Sequence, residues 1–176
     1  NRNFKVVTVR QLMPFSIFAI LVIFFAIGLT KDPRLIPSPL VGEPLPVRQL
    51  DKLDSTEGTL HTNNLGGSNF ILNVWASWCA ACLEEHDLLM ELATLNTIPI
   101  VGLNYKDTRK DASRWLYKNG NPYLQTWFDP NGQFGMELGV YGVPETFFVD
   151  KTGIIRHKHI GPLSRNSISQ AIEILN

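Results

Sequence analysis

Uninterrupted apolar runs alternate along this chain with segments whose apolar residues recur at helical spacing, and the alternation sets out the elements. Residues 12–29 carry no charge and are almost wholly apolar. At 1.5 Å per residue they span roughly 27 Å, close to the ~30 Å hydrocarbon core of a bilayer, so they predict one transmembrane helix with Pro14 in its first turn. Pro33, Pro37 and Pro39 then predict an extended, semi-rigid spacer over 30–40. Short alternating stretches between Val41 and Thr62, such as 47–50, predict an N-terminal hairpin, with Gly66-Gly67 as the loop before the first strong strand. The apolar run 70–76 reads as a buried strand, and Leu88, Leu89, Leu92 and Leu95 place a helix over 79–95 after it.

The same pattern continues to the C-terminus. A strand over 98–105 is followed by a helix over 111–118, with Ala112, Trp115 and Leu116 on one face and Gly120 and Pro122 ending it. A short strand over 124–128 turns at Asp129-Pro130-Asn131-Gly132, and 134–138 forms one or two helical turns. Residues 145–149 and 154–159 read as an antiparallel hairpin about Asp150-Lys151-Thr152-Gly153. Ser164 caps a last helix whose Ile168, Ala171, Ile172 and Leu175 face the core. Strand–helix–strand–helix order favours right-handed parallel crossovers, so the expected fold is α/β, with a mixed central sheet and helices on both faces.

Composition narrows the function. The 176 residues leave room for one domain, over 41–176, plus the appendage formed by 1–11, the span and the spacer. A formal net charge of zero gives no electrostatic footprint for nucleic acid. Arg2, Lys5 and Arg10 precede the apolar run, against Lys31 and Arg34 after it, which biases the N-terminus toward the cytoplasm. A cleavable signal peptide ending near Ala26-Ile27-Gly28 is the competing reading, and either reading exports the domain. Both cysteines of the chain lie in one C-x-x-C, which fits an exported redox protein.

Cys79 and Cys82 fall where the 70–76 strand gives way to a helix. Residues i and i+3 share a helix face with Cα atoms about 5–6 Å apart, within disulfide range. Free backbone N–H groups and the helix dipole favour a thiolate at Cys79, whereas Cys82 lies one turn deeper. That asymmetry makes Cys79 the attacker and Cys82 the resolver. A zinc site would need His86, His157 and His159 to complete it.

The run Trp75-Ala76-Ser77-Trp78-Cys79-Ala80-Ala81-Cys82 resembles the WAxWCxxC site of membrane-tethered thioredoxin-like proteins. With Glu85 and Gly142-Val143-Pro144-Glu145-Thr146, a G-x-P-E-T segment, the chain most resembles the thiol:disulfide interchange proteins of cytochrome c biogenesis, the CcmG/DsbE family. The likeness covers roughly residues 40–176 and departs at Ala80-Ala81, where many relatives carry a proline. It implies a thioredoxin-like fold and a retained anchor in the bacterial inner membrane, with the catalytic domain in the periplasm. It further implies reduction of apocytochrome c cysteines, directly or through a partner, before haem attachment, and re-reduction by a membrane electron donor. No cofactor is implied, and Leu83 follows Cys82 where c-type haem attachment needs histidine.

The candidate site is Cys79, Cys82, Glu85, Pro144 and Glu145, with Trp78, Val143 and Pro144 as substrate contacts. Glu85 is either an ordinary acid of a helix N-terminus or a partly buried base with a raised pKa that takes the proton of Cys82. Pro144 either starts a strand or, as the resemblance implies, forms a cis bond with Val143 beside the cysteines. Glu145 is either an exposed strand-edge acid or a neighbour of the sulfurs. Trp78 is expected over the helix start, Trp75 in the core, His86 on the helix surface, and His157 and His159 toward solvent; Asn73 has no assigned role. Two other activities remain open. A general periplasmic oxidant differs from a thioredoxin-like reductant by about 150 mV, or roughly 7 kcal/mol. A membrane-tethered copper metallochaperone would use the two cysteines and a distant histidine.

Overall fold

Strand β3 (Phe70–Trp75) is buried at every position, as a run apolar on both faces must be, and it is the centre about which the sheet is built. The computed structural model describes residues 9–29, 40–55, 58–65 and 67–175, in two units, 1–36 and 37–176. The spacer residues 30–39 and most of the expected cytoplasmic segment lie outside the described residues.

In the first unit, α1 spans Val9–Leu29. It starts earlier than expected because Arg10 and Gln11, though polar, are good helix formers. Pro14 therefore stands inside the helix rather than in its first turn, and cannot donate to the carbonyl of Arg10. Its side chains are described from residue 13 on, and all of them to residue 29 are exposed. Among the described residues no helix is long and apolar enough to cross a membrane.

The second unit holds a seven-stranded mixed sheet in the order β2-β1-β5-β4-β3-β6-β7. Its strands are β1 (Gln49–Lys52), β2 (Thr59–His61), β3, β4 (Ile100–Tyr105), β5 (Gln125–Asp129), β6 (Glu145–Val149) and β7 (Ile155–Ile160). β3 runs parallel to β4 and β4 to β5, whereas β6 is antiparallel to β3. The predicted N-terminal hairpin forms as β1–β2, and β1 also extends the sheet by pairing with β5.

Successive right-handed crossovers in one direction put their helices on one face. Accordingly α2 (Ala80–Leu95) and α3 (Arg109–Asn119) pack with Ile71, Trp75 and Phe148, and α5 (Arg165–Leu175), which follows β7, packs in the same cluster. The return connection carries α4 (Gln133–Glu137), whose Phe134 packs with Leu72, Val74, Trp127 and Phe147 on the other face. Thr108 caps α3 by accepting from Asp111 N, and Gly120, at φ 96°, ends it where the sequence predicts. Gly102 in β4 is required by close approach: a Cβ there would lie 2.9 Å from Trp75 Nε1 and 3.0 Å from the Tyr123 ring.

β6 and β7 hold a buried ion pair. Lys158 Nζ lies 2.8 Å from Glu145 Oε2, with side-chain exposures of 3% and 1%, and donates to Gly139 O at 2.7 Å. The ammonium also sits over the rings of Tyr141 and Phe147, 4.6 and 5.1 Å from their centroids. Glu145 Oε2 meets Lys158 off the angle of a true hydrogen bond, so the attraction there is mainly Coulombic. Both residues face away from α2, by strand parity with Phe147. Removing one partner strands the other charge in the interior. Lys158→Met is therefore expected to lower unfolding free energy by about 3 kcal/mol in urea titrations, with Glu145→Gln added to it recovering part of the loss.

Candidate active site

The cysteines sit where β3 has ended and α2 begins. Cys79 is the N-cap, in extended backbone (φ −88°, ψ 106°), and its sulfur accepts from Cys82 N at 3.0 Å. Cys79 and Cys82 are joined in a disulfide with Cα atoms 5.4 Å apart, in the range set by their i, i+3 spacing. Cys79 keeps 6% of its surface and Cys82 2%, so the difference in access runs in the expected direction but is small.

A segment the sequence reading missed fixes this turn. Trp75 is in register with Asn104, so the residues that follow the two parallel strands emerge side by side. Asp107 accepts from Ser77 N at 2.6 Å and Ser77 Oγ at 2.8 Å, and is itself held by Asn104 Nδ2 at 3.1 Å. Trp78, 59% exposed, donates its indole N–H to Lys106 O at 2.9 Å. The level at which two parallel strands end is the signal that pairs 76–79 with 104–107.

Glu85 lies one turn beyond Cys82 and is 1% exposed. Oε1 accepts from Asn73 Nδ2 at 2.8 Å, and Oε2 from Leu163 N at 2.7 Å. Burial drives its pKa up to about 7, the two hydrogen bonds opposing the shift in part. Asn73 also donates to Thr146 Oγ1 at 3.1 Å and accepts from Tyr123 OH at 2.9 Å. A polar residue in a fully buried strand is thus the centre of a network that joins β3, β6, α2 and the entry to β5.

The Val143–Pro144 peptide bond is cis. Val74 is in register with Glu145, which brings Pro144 level with Trp75 at the end of β3 from which the cysteine turn departs. Val143 packs against the cluster that contains both cysteines, and Pro144 O accepts from Gly161 N at 2.9 Å. Glu145 is fully buried, not an exposed strand-edge acid. Its Oε1 accepts from Tyr141 N at 2.9 Å and Gly142 N at 3.2 Å, and it shares a face with Val74 and Phe147. Glu85 and the cysteines lie across the sheet, on the Asn73 face. The structure thus brings Cys79, Cys82 and Glu85 to one face, with Val143 packed against the clusters of both faces and Glu145 bracing the 141–145 loop from the other.

The histidines differ from expectation. His86 is buried, 2% exposed, because α2 turns it onto the Trp115 ring at 4.5 Å, with Nε2 at Asn119 O; burial holds its pKa down. His157 lies half-buried against Phe148 and His159 meets Pro162 O, since α5 covers this side of β7. Trp75 is in the core as expected, stacked on Tyr123. Among the described residues no group of three His, Cys, Asp or Glu side chains could hold a metal ion.

This geometry can be set beside known proteins. The redoxin family model matches residues 40–175. The chain is 43% identical over 164 residues to the thiol:disulfide interchange protein DsbE of Allochromatium vinosum, covering 93% of this chain and 91% of that one. It is 45% identical to DsbE of Escherichia coli K12, covering 76% and 72%. Among solved structures, a secreted thiol-disulfide isomerase from Corynebacterium glutamicum superposes with a TM-score of 0.64 at 25% identity, covering 74% of this chain and 84% of that one. A DsbF homologue from Corynebacterium diphtheriae, at 23% identity and a TM-score of 0.65 over 74% and 85%, shares the fold. With a thioredoxin-like sheet and a C-x-x-C disulfide heading α2, the chain belongs to the redoxin family and, within it, to the DsbE thiol:disulfide interchange proteins, and is a thioredoxin-like oxidoreductase.

Proposed function

We propose that this oxidoreductase is a periplasmic reductant tethered to the bacterial inner membrane, keeping the cysteines of apocytochrome c reduced, directly or through a maturation partner, before haem is attached. The observation that carries the chemistry is the C-x-x-C disulfide at the head of α2, with a buried carboxylate of raised pKa one turn below it.

In the proposed cycle the Cys79 thiolate attacks a substrate disulfide. One substrate sulfur leaves as thiolate, and a mixed disulfide forms. Glu85, as carboxylate, takes the proton of the Cys82 thiol, and Cys82 then attacks the Cys79 sulfur. The second substrate sulfur leaves and takes the proton held by Glu85, and the first takes one from solvent, so the substrate has gained two electrons and two protons. The protein is left as the Cys79–Cys82 disulfide, and a membrane electron donor restores the dithiol.

Trp78, Val143 and Pro144 are the proposed substrate contacts. Trp78 offers an exposed indole beside Cys79, and the backbone at Val143 can pair with an extended peptide. Glu145 acts as the brace of that loop. In the proposed layout 1–11 is cytoplasmic, 12–29 crosses the membrane, 30–40 is the spacer and 41–176 is periplasmic. Support for the anchor comes from the sequence, in which residues 12–29 are uncharged and almost wholly apolar.

A Cys82→Ala variant should accumulate mixed disulfides through Cys79. Mass spectrometry of the trapped species is expected to find apocytochrome c or one dedicated maturation protein, and Cys79→Ala to trap nothing. A glutathione-equilibrated potential near −120 mV would instead assign a general oxidant.

The Glu85 shift has a sign in stability. Between the ordinary carboxylate value of 4.5 and about 7 the folded protein binds a proton that the unfolded chain has released. The stability present below 4.5 is therefore lost as pH rises to 7. The 2.5-unit difference corresponds to about 3 kcal/mol at 1.36 kcal/mol per unit. Urea titrations of the oxidised protein should show this fall between pH 4.5 and about pH 7, and Glu85→Gln should flatten it.

A further inference from the structure

Asn73 is fully buried in β3, where an apolar residue would satisfy the packing. A buried amide is retained without cost only when its donors and acceptor are matched, and here they are. Nδ2 donates to Glu85 Oε1 and Thr146 Oγ1, and Oδ1 accepts from Tyr123 OH. Tyr123 has little freedom to move, its ring stacked on Trp75 at 5.6 Å and lying over the bare Cα of Gly102.

We infer that Asn73, oriented by the Tyr123 hydroxyl, is the positioning residue for Glu85, aiming an N–H donor at the carboxylate and so setting the pH at which Glu85 accepts the proton of Cys82. The inference rests on the reading of Glu85 as that proton acceptor.

The amide has two orientations related by a flip about its terminal torsion. One presents N–H to Glu85 and stabilises the carboxylate; the other presents oxygen and favours the protonated acid. Tyr123 OH, donating to Oδ1, selects the first. Burial and the charge of Glu85 hold the phenol well above its usual pKa, so it remains a donor throughout the working range.

The other groups around Glu85 leave this choice to Asn73. From α2 come Cys82 and His86, the latter engaged with Asn119 O. From the segment before α5 comes Leu163 N, a fixed backbone donor. From β6 comes the neutral Thr146, and β7 places His159 opposite Thr146 with its Nε2 at Pro162 O. Among these described groups none that touches Glu85 is a cation, so its burial is offset by the Leu163 N–H and then by the Asn73 amide, and of these two only the amide is a side chain that can turn.

The test uses the oxidised protein, residues 1–176, in detergent, labelled with ¹³C at glutamate carboxyls, the Glu85 signal being the one missing from Glu85→Gln. Asn73→Ala is expected to raise the Glu85 titration midpoint by about one pH unit and Tyr123→Phe by about half a unit, as loss of a hydrogen bond to a charged group implies. The pH profile for reduction of oxidised glutathione by the dithiol form should move by the same amounts. An unmoved midpoint in folded Tyr123→Phe overturns the inference, and that variant decides alone if Asn73→Ala fails to fold. A pH profile that persists in Glu85→Gln overturns instead the reading of Glu85 as proton acceptor.

Discussion

The pairing of β3 with a parallel neighbour on one side and an antiparallel one on the other is the constraint from which the site follows. Parallel pairing with β4 sends two chain segments out of the same end of the sheet, where Asp107 ties down Ser77 and Lys106 O receives the Trp78 indole. Antiparallel pairing with β6 returns Pro144 to that end from the opposite direction. A turn, a helix start and a proline loop thereby converge without any of them belonging to the regular core. Because β3 is buried on both faces, the side of the sheet on which each neighbouring group emerges is fixed by strand parity, with no freedom to slip by one residue.

Parity also gives the two buried glutamates different environments. Glu85 is balanced by neutral donors, an amide and a backbone N–H, and its pKa is high enough to exchange a proton near neutrality. Glu145 is balanced by an ammonium that also holds Gly139 O and lies against two aromatic rings. The first thus meets only dipoles, and the second a cation held in the interior. The division fits a chemical role for the first and a structural one for the second.

Much of this was legible in the residues. The apolar run at 70–76 and the leucine spacing after it placed the cysteine turn to within one residue, and the Asp150–Gly153 turn marked the β6–β7 hairpin. Local signals sufficed there because each element carries its own period. For Glu85 the residues left two readings open, and its burial against Asn73 and Leu163 decides for the buried one. His86 was not legible, because its burial depends on Trp115 from a separate helix. Nor was the side of the sheet taken by Glu145, which depends on register between strands some seventy positions apart. Asn73 was passed over since an amide within an apolar strand shows no partner until β6, α2 and Tyr123 are assembled around it. The attachment of β1 to β5 was likewise a long-range choice with no short-range mark.

The Lys158–Glu145 contact bears on how such a chain can diverge. A lineage that replaced either residue singly would pass through an ancestor with an uncompensated interior charge, so the two positions are bound to be inherited as a couple. Neutral drift on this side of the domain is confined to paths that alter both together, and the proline loop they secure is protected from gradual change by a barrier of evolution as well as of energy.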